Sequence, residues 1–106
     1  VTNSAAITAG AHWFPLAETG GPTARDYEED FPLENYVLEN QSSDEEVDII
    51  LDGAPIGSSK RWTIPNGKTR ESNPEEQLRF HSIVVVNNDA VTQIEIGELE
   101  CSFRTY

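Results

Sequence analysis

The sequence predicts an all-β protein: a small antiparallel β-sandwich of the jelly-roll or immunoglobulin-like type, preceded by an extended N-terminal arm. From residue 35 onward, short segments alternate apolar and polar residues, which is typical of half-buried strands. Turn-forming residues separate these segments at intervals of roughly 8–12 residues, and no segment keeps a helical period. Residues 1–34 show neither the alternation of a strand nor the period of a helix. We therefore divide the 106-residue chain into an arm, 1–34, and a sandwich domain, 35–106.

The first three predicted strands lie between residues 35 and 64. NYVLEN is a short strand, and the turn-rich sequence NQSSDE follows it. EVDIILD alternates, which directs Asp48 and Asp52 to solvent. DGAP and IGSS form the next turns, and KRWTI is the third strand. The expected core-facing residues of the second and third strands are Val47, Ile49, Leu51, Trp62 and Ile64.

The remainder of the chain continues this pattern. PNG predicts a tight turn, KTRES a charged edge strand, and NPEE a single helical turn. In QLRFHSIVVVNN the apolar positions change parity near His81 and Ser82, which indicates a bulge or a bend. VTQIEI and ELECSFRTY are the last strands, and the short connections favour hairpins between successive strands. Their expected core-facing residues are Ile94, Ile96, Leu99, Cys101 and Phe103.

The arm combines structure-breaking residues with large aromatic side chains. Its prolines and glycines interrupt both helix and strand, whereas flexible linkers rarely carry bulky apolar groups. The aromatic residues should therefore pack onto something, either the end of the chain's own sandwich or a pocket on a neighbouring subunit. The expected subunit-interface anchors are Trp13, Phe14, Tyr27 and Phe31.

The charge is distributed unevenly along the chain. The net charge is −12, and residues 1–53 hold twelve acids and one base, whereas residues 54–106 hold seven acids and six bases. Such a surface repels nucleic acid and anionic membranes, so neither is an expected partner. Few lysines beside nineteen acids are typical of extreme halophiles, because carboxylates hold water and hydrated cations in brine. An ordinary acidic protein is the alternative.

No residue pattern predicts catalysis or a cofactor. His12 and His81 are far apart and lack further ligands at zinc-binding spacing. The acids of residues 44–52 lack the order of a calcium-binding loop, so a solvated face is preferred to a specific cation site. Nucleophile-elbow and phosphate-binding motifs are missing. We therefore expect no catalytic residue, no metal and no cofactor.

Two isolated features have limited functional meaning. Cys101 is the only cysteine, which excludes an intrachain disulfide and indicates a buried, inert thiol. Asn40-Gln41-Ser42 is a glycosylation sequon in a predicted loop, and it matters only if the chain meets a glycosylating machinery. No apolar run is long enough to span a bilayer.

Residues 35–106 resemble the small β-sandwich structural proteins of tailed viruses, such as head-decoration, head–tail completion and tail components. The resemblance consists of strand order and turn residues: YVLENQSSDEEVDIILDG, then RWTIPNGKTRES, then FHSIVVVNNDAVTQIEIGELECSF. Together with the acidic composition, it implies a haloarchaeal host. It carries over no functional residues, because such proteins act through surfaces, and it does not account for the arm.

Three functions follow from these expectations. The first is a non-enzymatic virion protein that assembles with copies of itself and with other virion proteins through its arm and sheet edges. It would form homo-oligomers and reside in the particle in a high-salt medium, after assembly in the host cytoplasm. The second is a secreted or cell-surface binding module of a halophile, for example for carbohydrate, with Trp62 or Trp13 as a stacking platform. The third is a small enzyme.

Overall fold

The computed structural model describes residues 1–19 and 33–104, which form seven β-strands and two short 3₁₀ turns, with no α-helix among them. The strands are β1 (His12–Trp13), β2 (Asn35–Asn40), β3 (Val47–Leu51), β4 (Arg61–Ile64), β5 (Thr69–Glu71), β6 (Ile83–Asn87) and β7 (Leu99–Arg104). The 3₁₀ turns cover Pro15–Thr19 and Pro74–Glu76, and the second of them is the helical turn that NPEE predicts.

The strands form two antiparallel sheets that pack as a small β-sandwich, which confirms the predicted fold class. One sheet has the order β1-β6-β3-β4 and the other the order β5-β2-β7. Among the strands of the described residues, only β3 and β4 are successive and pair within one sheet, so the expectation of hairpins between successive strands is wrong for the others. The other connections cross between the sheets, which lets consecutive amphipathic strands bury their apolar faces against each other.

The first residues of the chain close one side of the sandwich. The Val1 nitrogen donates to the Cys101 carbonyl at 2.7 Å, and the Cys101 N–H donates to the Val1 carbonyl at 2.8 Å. An isolated bridge between Ile7 and Ile94 joins this segment to the loop before β7, and β1 then pairs with β6. Residues 1–19, which the sequence assigned to an arm, therefore contribute a strand and two bridges to the sandwich itself. We call them the N-terminal segment.

Asn3 fastens the N-terminal segment to the loop that precedes β7. Its side chain is fully buried, and its Oδ1 accepts the N–H groups of Gly97 at 3.1 Å and Leu99 at 3.0 Å. Its Nδ2 donates to the carbonyls of Ala5 at 3.0 Å and Glu95 at 2.9 Å. One buried amide thus binds four backbone groups and adds to the backbone bonds that close this side.

The core lies between the two sheets. Strand β3 alternates as predicted, because Val47, Ile49 and Leu51 are all inaccessible to solvent. Cys101 is also fully buried, which confirms the prediction that its thiol is buried. Burying one such aliphatic side chain contributes about 1.5–3 kcal/mol, so these positions supply much of the stability. The largest fully buried side chains include Tyr36, Phe80, Leu33, Leu38, Ile49, Leu51, Ile83, Ile94 and Leu99.

The sequence VTQIEI does not form the strand that was predicted. Ile94 is fully buried and makes an isolated bridge, whereas Ile96 is 66% exposed, so the two side chains do not share a face. Asn87 holds the beginning of this loop, because its Nδ2 donates to the carbonyls of Ile7 and Thr92, both at 3.0 Å. These side-chain bonds satisfy the backbone groups that a strand ladder would otherwise have paired.

The buried positions change from even to odd residue numbers near His81 and Ser82, as predicted. The expected strand is interrupted there, so β6 begins only at Ile83. Asp52 and Gly53 adopt left-handed conformations, with φ of 52° and 69°, as an Asp-Gly turn allows. Asp52 Oδ1 accepts the N–H groups of His81 at 2.8 Å and Ser82 at 3.1 Å, which removes both donors from strand pairing. The buried residues on the two sides of this break are Leu78, Phe80, Ile83 and Val85.

Candidate functional site

The four expected interface anchors do not form one site among the described residues. Trp13 is 6% exposed and belongs to the core of its own chain, where its Nε1 donates to Glu18 at 3.3 Å. The burial of Trp13 agrees with the alternative in which it covers the end of its own sandwich. Its ring is therefore not available to a neighbouring subunit. Phe14 is 44% exposed and open to contact. Tyr27 and Phe31 lie outside the described residues.

Phe14 borders a shallow pocket of about 410 Å³ whose polar lining includes Asp52 and His81. Asp52 is already engaged, because it accepts two backbone N–H groups and pairs with Lys60 Nζ at 3.5 Å. The Nε2 atom of His81 is buried and has no hydrogen-bond partner within the described part of the chain. A general base needs a positioned partner, so this pocket offers weak support for acid–base chemistry.

Trp62 belongs to a cluster of rings and charges beside the edge of β4. The Arg70 guanidinium carbon lies 4.1 Å from the Trp62 ring centroid, and the Tyr36 ring centroid lies 5.8 Å from it. Arg70 Nε donates to the Tyr36 hydroxyl at 2.7 Å, and its Nη2 pairs with Glu76. Arg70 therefore covers one face of Trp62, and a sugar that stacked there would have to displace it.

Burial raises the pKa values of two groups in the core. The pKa of Tyr36 rises to about 12 because burial outweighs the opposing hydrogen bond from Arg70. Burial also raises the pKa of the Cys101 thiol to about 12. Both groups therefore stay neutral in the folded protein at pH values where they would ionise in the unfolded chain.

We expect stability to decrease as the pH rises from about 9 to about 12. In the unfolded chain the thiol ionises near pH 9.0 and the phenol near pH 10.0, whereas the folded state keeps both protons until about pH 12. The unfolded state then binds fewer protons, so rising pH favours unfolding, by roughly 7 kcal/mol in total at pH 12. Urea denaturation across this range measures the effect. Cys101→Ala should move its onset from about pH 9 to about pH 10, and an unchanged onset would contradict the assignment.

The side of the sandwich opposite the N-terminal segment is open. There β4 and β5 are the edge strands of the two sheets, and residues 65–68 join them in a turn in which Gly67 has a φ of 72°. Among the described residues, no strand pairs with the outer edge of either one. Between them lies a groove of about 340 Å³, which we call the β4–β5 groove. It is lined by Thr63, Ile64, Pro65, Lys68, Thr69, Arg70 and Glu71.

Asp48 is 8% exposed, so the prediction that it faces solvent is wrong. On the outer side of its sheet, its carboxylate accepts hydrogen bonds from Arg61 Nε at 2.8 Å, Thr63 Oγ1 at 2.6 Å and Asn88 Nδ2 at 2.7 Å. These neighbours cover the carboxylate. Burial alone would raise the pKa of Asp48, but the hydrogen bonds and the Arg61 charge outweigh it and lower the pKa below 3.8. Asp52 is exposed, as predicted.

Asn40, the acceptor residue of the sequon, is 1% exposed. Its Nδ2 donates to the carbonyls of Glu45 at 2.8 Å and Ile64 at 3.2 Å, and its Oδ1 accepts from Ser42 Oγ at 2.6 Å. A glycan must be attached to Nδ2, which is the atom that these contacts occupy. The folded structure therefore contradicts the use of this sequon, and the residue instead holds the loop between β2 and β3.

The outer face of the three-stranded sheet places like charges side by side. Glu39 of β2 is directly opposite Glu100 of β7, and Thr69 of β5 is opposite Glu39 on its other side. Like charges that face each other across an antiparallel pair destabilise it. At about 1 M salt the Debye length is about 3 Å, so much of this repulsion would be screened.

We expect the melting temperature to rise as KCl increases from low concentration to about 1 M, and Glu100→Gln to weaken that dependence. At low salt the substitution should raise the free energy of unfolding by about 0.5 kcal/mol, because one of two facing charges is removed. Glu75→Gln is the matched control, since it changes the net charge equally at an exposed site. Equal effects of the two substitutions in thermal melts would show that the Glu39–Glu100 pair is not responsible.

Within residues 1–19 and 33–104, no group of three or more His, Cys, Asp or Glu side chains is placed to hold a metal ion. In the same part of the chain, no helix has the length and apolar character needed to cross a membrane. Comparison with known proteins found no matching family model, no similar curated protein and no similar solved structure. The features left to indicate a function are the two open strand edges and the distribution of charge.

Proposed function

We propose that the chain is a non-enzymatic structural subunit of a multi-copy particle, a virion protein of the capsid-decoration, head–tail or tail kind that works at high salt. The observation that carries this proposal is the open side, where no strand of the described residues pairs with the outer edges of β4 and β5 at one groove. Exposed strand edges template pairing with other chains, so most soluble proteins cover or blunt them. Two accessible edges at one groove favour assembly by strand addition.

Exposed apolar side chains at both ends of the sandwich support the same proposal. Ile56, in the loop between β3 and β4, is 84% exposed. Val91 and Ile96, in the loop between β6 and β7, are 86% and 66% exposed. Because β3 and β6 are antiparallel neighbours, these two loops emerge at opposite ends of the sheet. A subunit with apolar residues at both ends can contact more than one neighbour.

The carbohydrate-binding alternative is less well supported by the geometry. Of the two tryptophans expected to form a stacking platform, Trp13 is buried in the core and Trp62 has one ring face covered by Arg70. The open edges and exposed apolar loops have no role in that alternative, whereas the assembly proposal uses both.

Light scattering coupled to size-exclusion chromatography in about 2–3 M KCl tests the assembly role, since repulsion between acidic copies is screened there. Circular dichroism at the same salt concentration confirms that the chain is folded. We expect the measured mass to exceed that of one chain and to increase with protein concentration. A folded chain that stays monomeric over the whole concentration range would overturn the proposal.

A further inference from the structure

We propose that two copies of this chain pair across their open sides, with β5 of each copy lying antiparallel beside β4 of the other. This inference rests on the proposed assembly role and deepens it, because it identifies the contact between one copy and the next. Both contacting edges consist of described residues, and each copy supplies one edge strand to each sheet of the other.

The backbone of β5 has groups that can pair with another strand. The Asn40 N–H donates to the Lys68 carbonyl at 2.9 Å, so Lys68 directs its backbone groups toward β2. Successive residues of an antiparallel strand alternate in this direction. The N–H and C=O groups of Thr69 and Glu71 therefore point away from β2 and toward the edge.

The backbone of β4 offers matching groups. The Leu51 N–H donates to the Lys60 carbonyl at 3.0 Å, so the even-numbered residues of β4 direct their backbone groups toward β3. Those of Arg61 and Thr63 therefore point outward. The Arg61 N–H also donates to the Ser58 carbonyl, but at 3.3 Å this bond is longer than an ordinary N–H···O bond.

One antiparallel register uses all the outward groups of both edges. It places Thr69 opposite Thr63 of the second copy, and Glu71 opposite Arg61 of the second copy. Because both members of each pair have outward N–H and C=O groups, each pair can exchange two hydrogen bonds. The same two pairs occur again at the other edge, where the copies exchange roles.

This register also keeps every side chain on the matching face of the joined sheet. Thr63 bonds to Asp48 on the outer face of its sheet, and Thr69 is on the outer face of the other sheet by alternation. Trp62 and Arg70 lie on the inner faces, with the Arg70 guanidinium carbon 4.1 Å from the Trp62 ring centroid. Arg70 would be opposite Trp62 of the second copy, so inner side chains meet inner side chains.

A two-fold axis parallel to the strands produces this register directly. Asn40 bonds through its N–H to the Lys68 carbonyl and through its Nδ2 to the Ile64 carbonyl, so Lys68 and Ile64 lie at the same level along the strands. An axis in the strand direction preserves that level and sets Lys68 opposite Ile64 of the second copy. The contact is therefore isologous, and it closes in a dimer whose two sheets are both continuous.

Pairing of either edge with itself fits less well. If β5 paired with β5 of the second copy, the possible registers would set Arg70 opposite Arg70, Lys68 opposite Arg70, or Glu71 opposite Glu71. Like charges directly opposite each other destabilise an antiparallel pair. Pairing of β4 with itself would leave both β5 edges open. The proposed register instead sets Glu71 opposite Arg61 and threonine opposite threonine, which are favourable combinations.

The charge of the open side allows a second acidic copy to approach. Residues 60–71 hold four bases and one acid, Glu71, and three of the bases pair with Asp48, Asp52 and Glu76. These bases and acids together carry no net charge, so the net charge of −12 belongs to the other residues of the chain. Because the new bonds are made by backbone groups, the three ion pairs can stay in place. Two copies therefore meet less repulsion here than at a surface of average charge.

The pairing also closes the β4–β5 groove. Trp62 and Arg70 are half-buried beside this groove in a single copy, and in the dimer they would lie in an interior shared by both copies. Trp and Arg are enriched among the residues that contribute most to binding at interfaces. The exposed apolar loops at the two ends of the strands stay accessible, so dimers could be joined further in a particle.

Cysteine cross-linking tests the register. Thr63→Cys and Thr69→Cys are made in separate chains and mixed in about 1 M KCl under mild oxidation, where long-range repulsion is screened. A hydrogen-bonded antiparallel pair has Cα atoms about 5.5 Å apart, which suits a disulfide. We expect a covalent dimer with one chain of each kind, and none from either variant alone. Gln93→Cys, at an exposed residue outside the groove lining, mixed with Thr69→Cys is the control for random collision and should not cross-link.

A self-cross-link of either variant would show that like edges pair, and it would overturn the inference. Cross-linking of the Gln93→Cys mixture to the same extent as the Thr63→Cys mixture would overturn it as well, because the contact would then be non-specific.

Proline tests the backbone contact by light scattering. Thr69→Pro removes an outward N–H that β2 does not use, which an edge strand tolerates. Because this bond occurs at both edges of the dimer, the substitution should weaken dimerisation at least about tenfold. Thr69→Val is the matched control: it keeps the N–H and the shape of the side chain, and should dimerise within about threefold of the original chain.

A pair of charge reversals separates the specific contact from general repulsion. Glu71→Lys and Glu46→Lys make the same change in net charge at exposed residues, and Glu46 is outside the groove lining. At about 0.1 M KCl, general repulsion alone would make both variants associate more strongly. The register sets the new base of Glu71→Lys opposite Arg61 of the second copy, so this variant should associate more weakly, whereas Glu46→Lys associates more strongly. A change in the same direction for both would overturn the register.

The outcomes distinguish this inference from the proposed function. If the original chain associates but the mixed cross-link does not form and Thr69→Pro associates equally well, the assigned contact is wrong and the assembly role stands. If the original folded chain stays monomeric at every salt concentration, the proposed function fails together with the inference.

Discussion

Asn3→Ala is expected to lower the free energy of unfolding by about 3 kcal/mol, a larger effect than that of any other substitution proposed for this chain. The buried amide accepts from Gly97 and Leu99 and donates to Ala5 and Glu95. Removing it takes the partner from the Leu99 N–H and the Ala5 carbonyl, whereas the Gly97 N–H keeps its bond to the Asn3 carbonyl and the Glu95 carbonyl keeps the bond from the Glu98 N–H. Each such group costs about 1–3 kcal/mol, and partial rehydration of the loop offsets part of the sum.

Urea denaturation of Asn3→Ala and of Asn66→Ala provides the comparison. Asn66 is exposed, and its Nδ2 donates to the Ser43 carbonyl at 2.8 Å, so its loss should cost at most about 1 kcal/mol. The same loss of stability in both variants would mean that Asn3 does not hold the N-terminal segment against the sandwich. Amide exchange should also show that the Leu99 N–H, which donates to the Asn3 side chain, loses protection selectively in Asn3→Ala.

Asp48→Ala is expected to lower the free energy of unfolding by roughly 2 kcal/mol at neutral pH. The substitution removes the acceptor of three hydrogen bonds and leaves Arg61, whose side chain is 18% exposed, without its carboxylate. The expected loss is smaller than for fully buried charges because solvent reaches part of the pair. Asp44→Ala, at an exposed acid of the preceding loop, serves as the control and should change stability by about 0.5 kcal/mol or less.

The effect of Asp48→Ala should depend on pH. The pKa of Asp48 is lowered by folding, so the unfolded chain takes up a proton at a higher pH than the folded protein does. The stabilisation is therefore complete above about pH 5 and decreases as the pH falls below 3.8. Urea denaturation of the original chain and of the variant at neutral pH and at about pH 3 should show the difference shrinking. A difference that is constant with pH would contradict an ionised, hydrogen-bonded Asp48.

The sequence predicts the fold class because local patterns determine most of it. The alternation in β3 identifies Val47, Ile49 and Leu51 as core residues, and the charges of KTRES mark β5 as an edge strand. The closed side was not predicted, because β1 has only two residues and its pairing partner lies some seventy positions away. Asn3 gives no local signal either, since its partners near Gly97 are brought to it by the fold.

The β4–β5 groove also combines features that a local sequence pattern reveals with features that depend on residues distant in the sequence. Residues 60–70 contain four bases and no acid, and two of these bases, Lys68 and Arg70, line the β4–β5 groove. The sequence does not show that β4 and β5 are edge strands of two different sheets within the described part of the chain. It also cannot show that Asp48 is covered by residues from β4 and from the loop after β6, so the alternation rule assigned this carboxylate to solvent.

Amide hydrogen exchange, followed residue by residue at low and high protein concentration, tests the central claim most directly. The claim is that one side of the sandwich is closed by its own N-terminal segment and the other is open for a second copy. It predicts that the Cys101 amide is protected at every concentration, whereas the Thr69 and Glu71 amides exchange rapidly when dilute and become protected when concentrated. Protection of Thr69 and Glu71 in the dilute monomer, or rapid exchange at every concentration, would contradict the account.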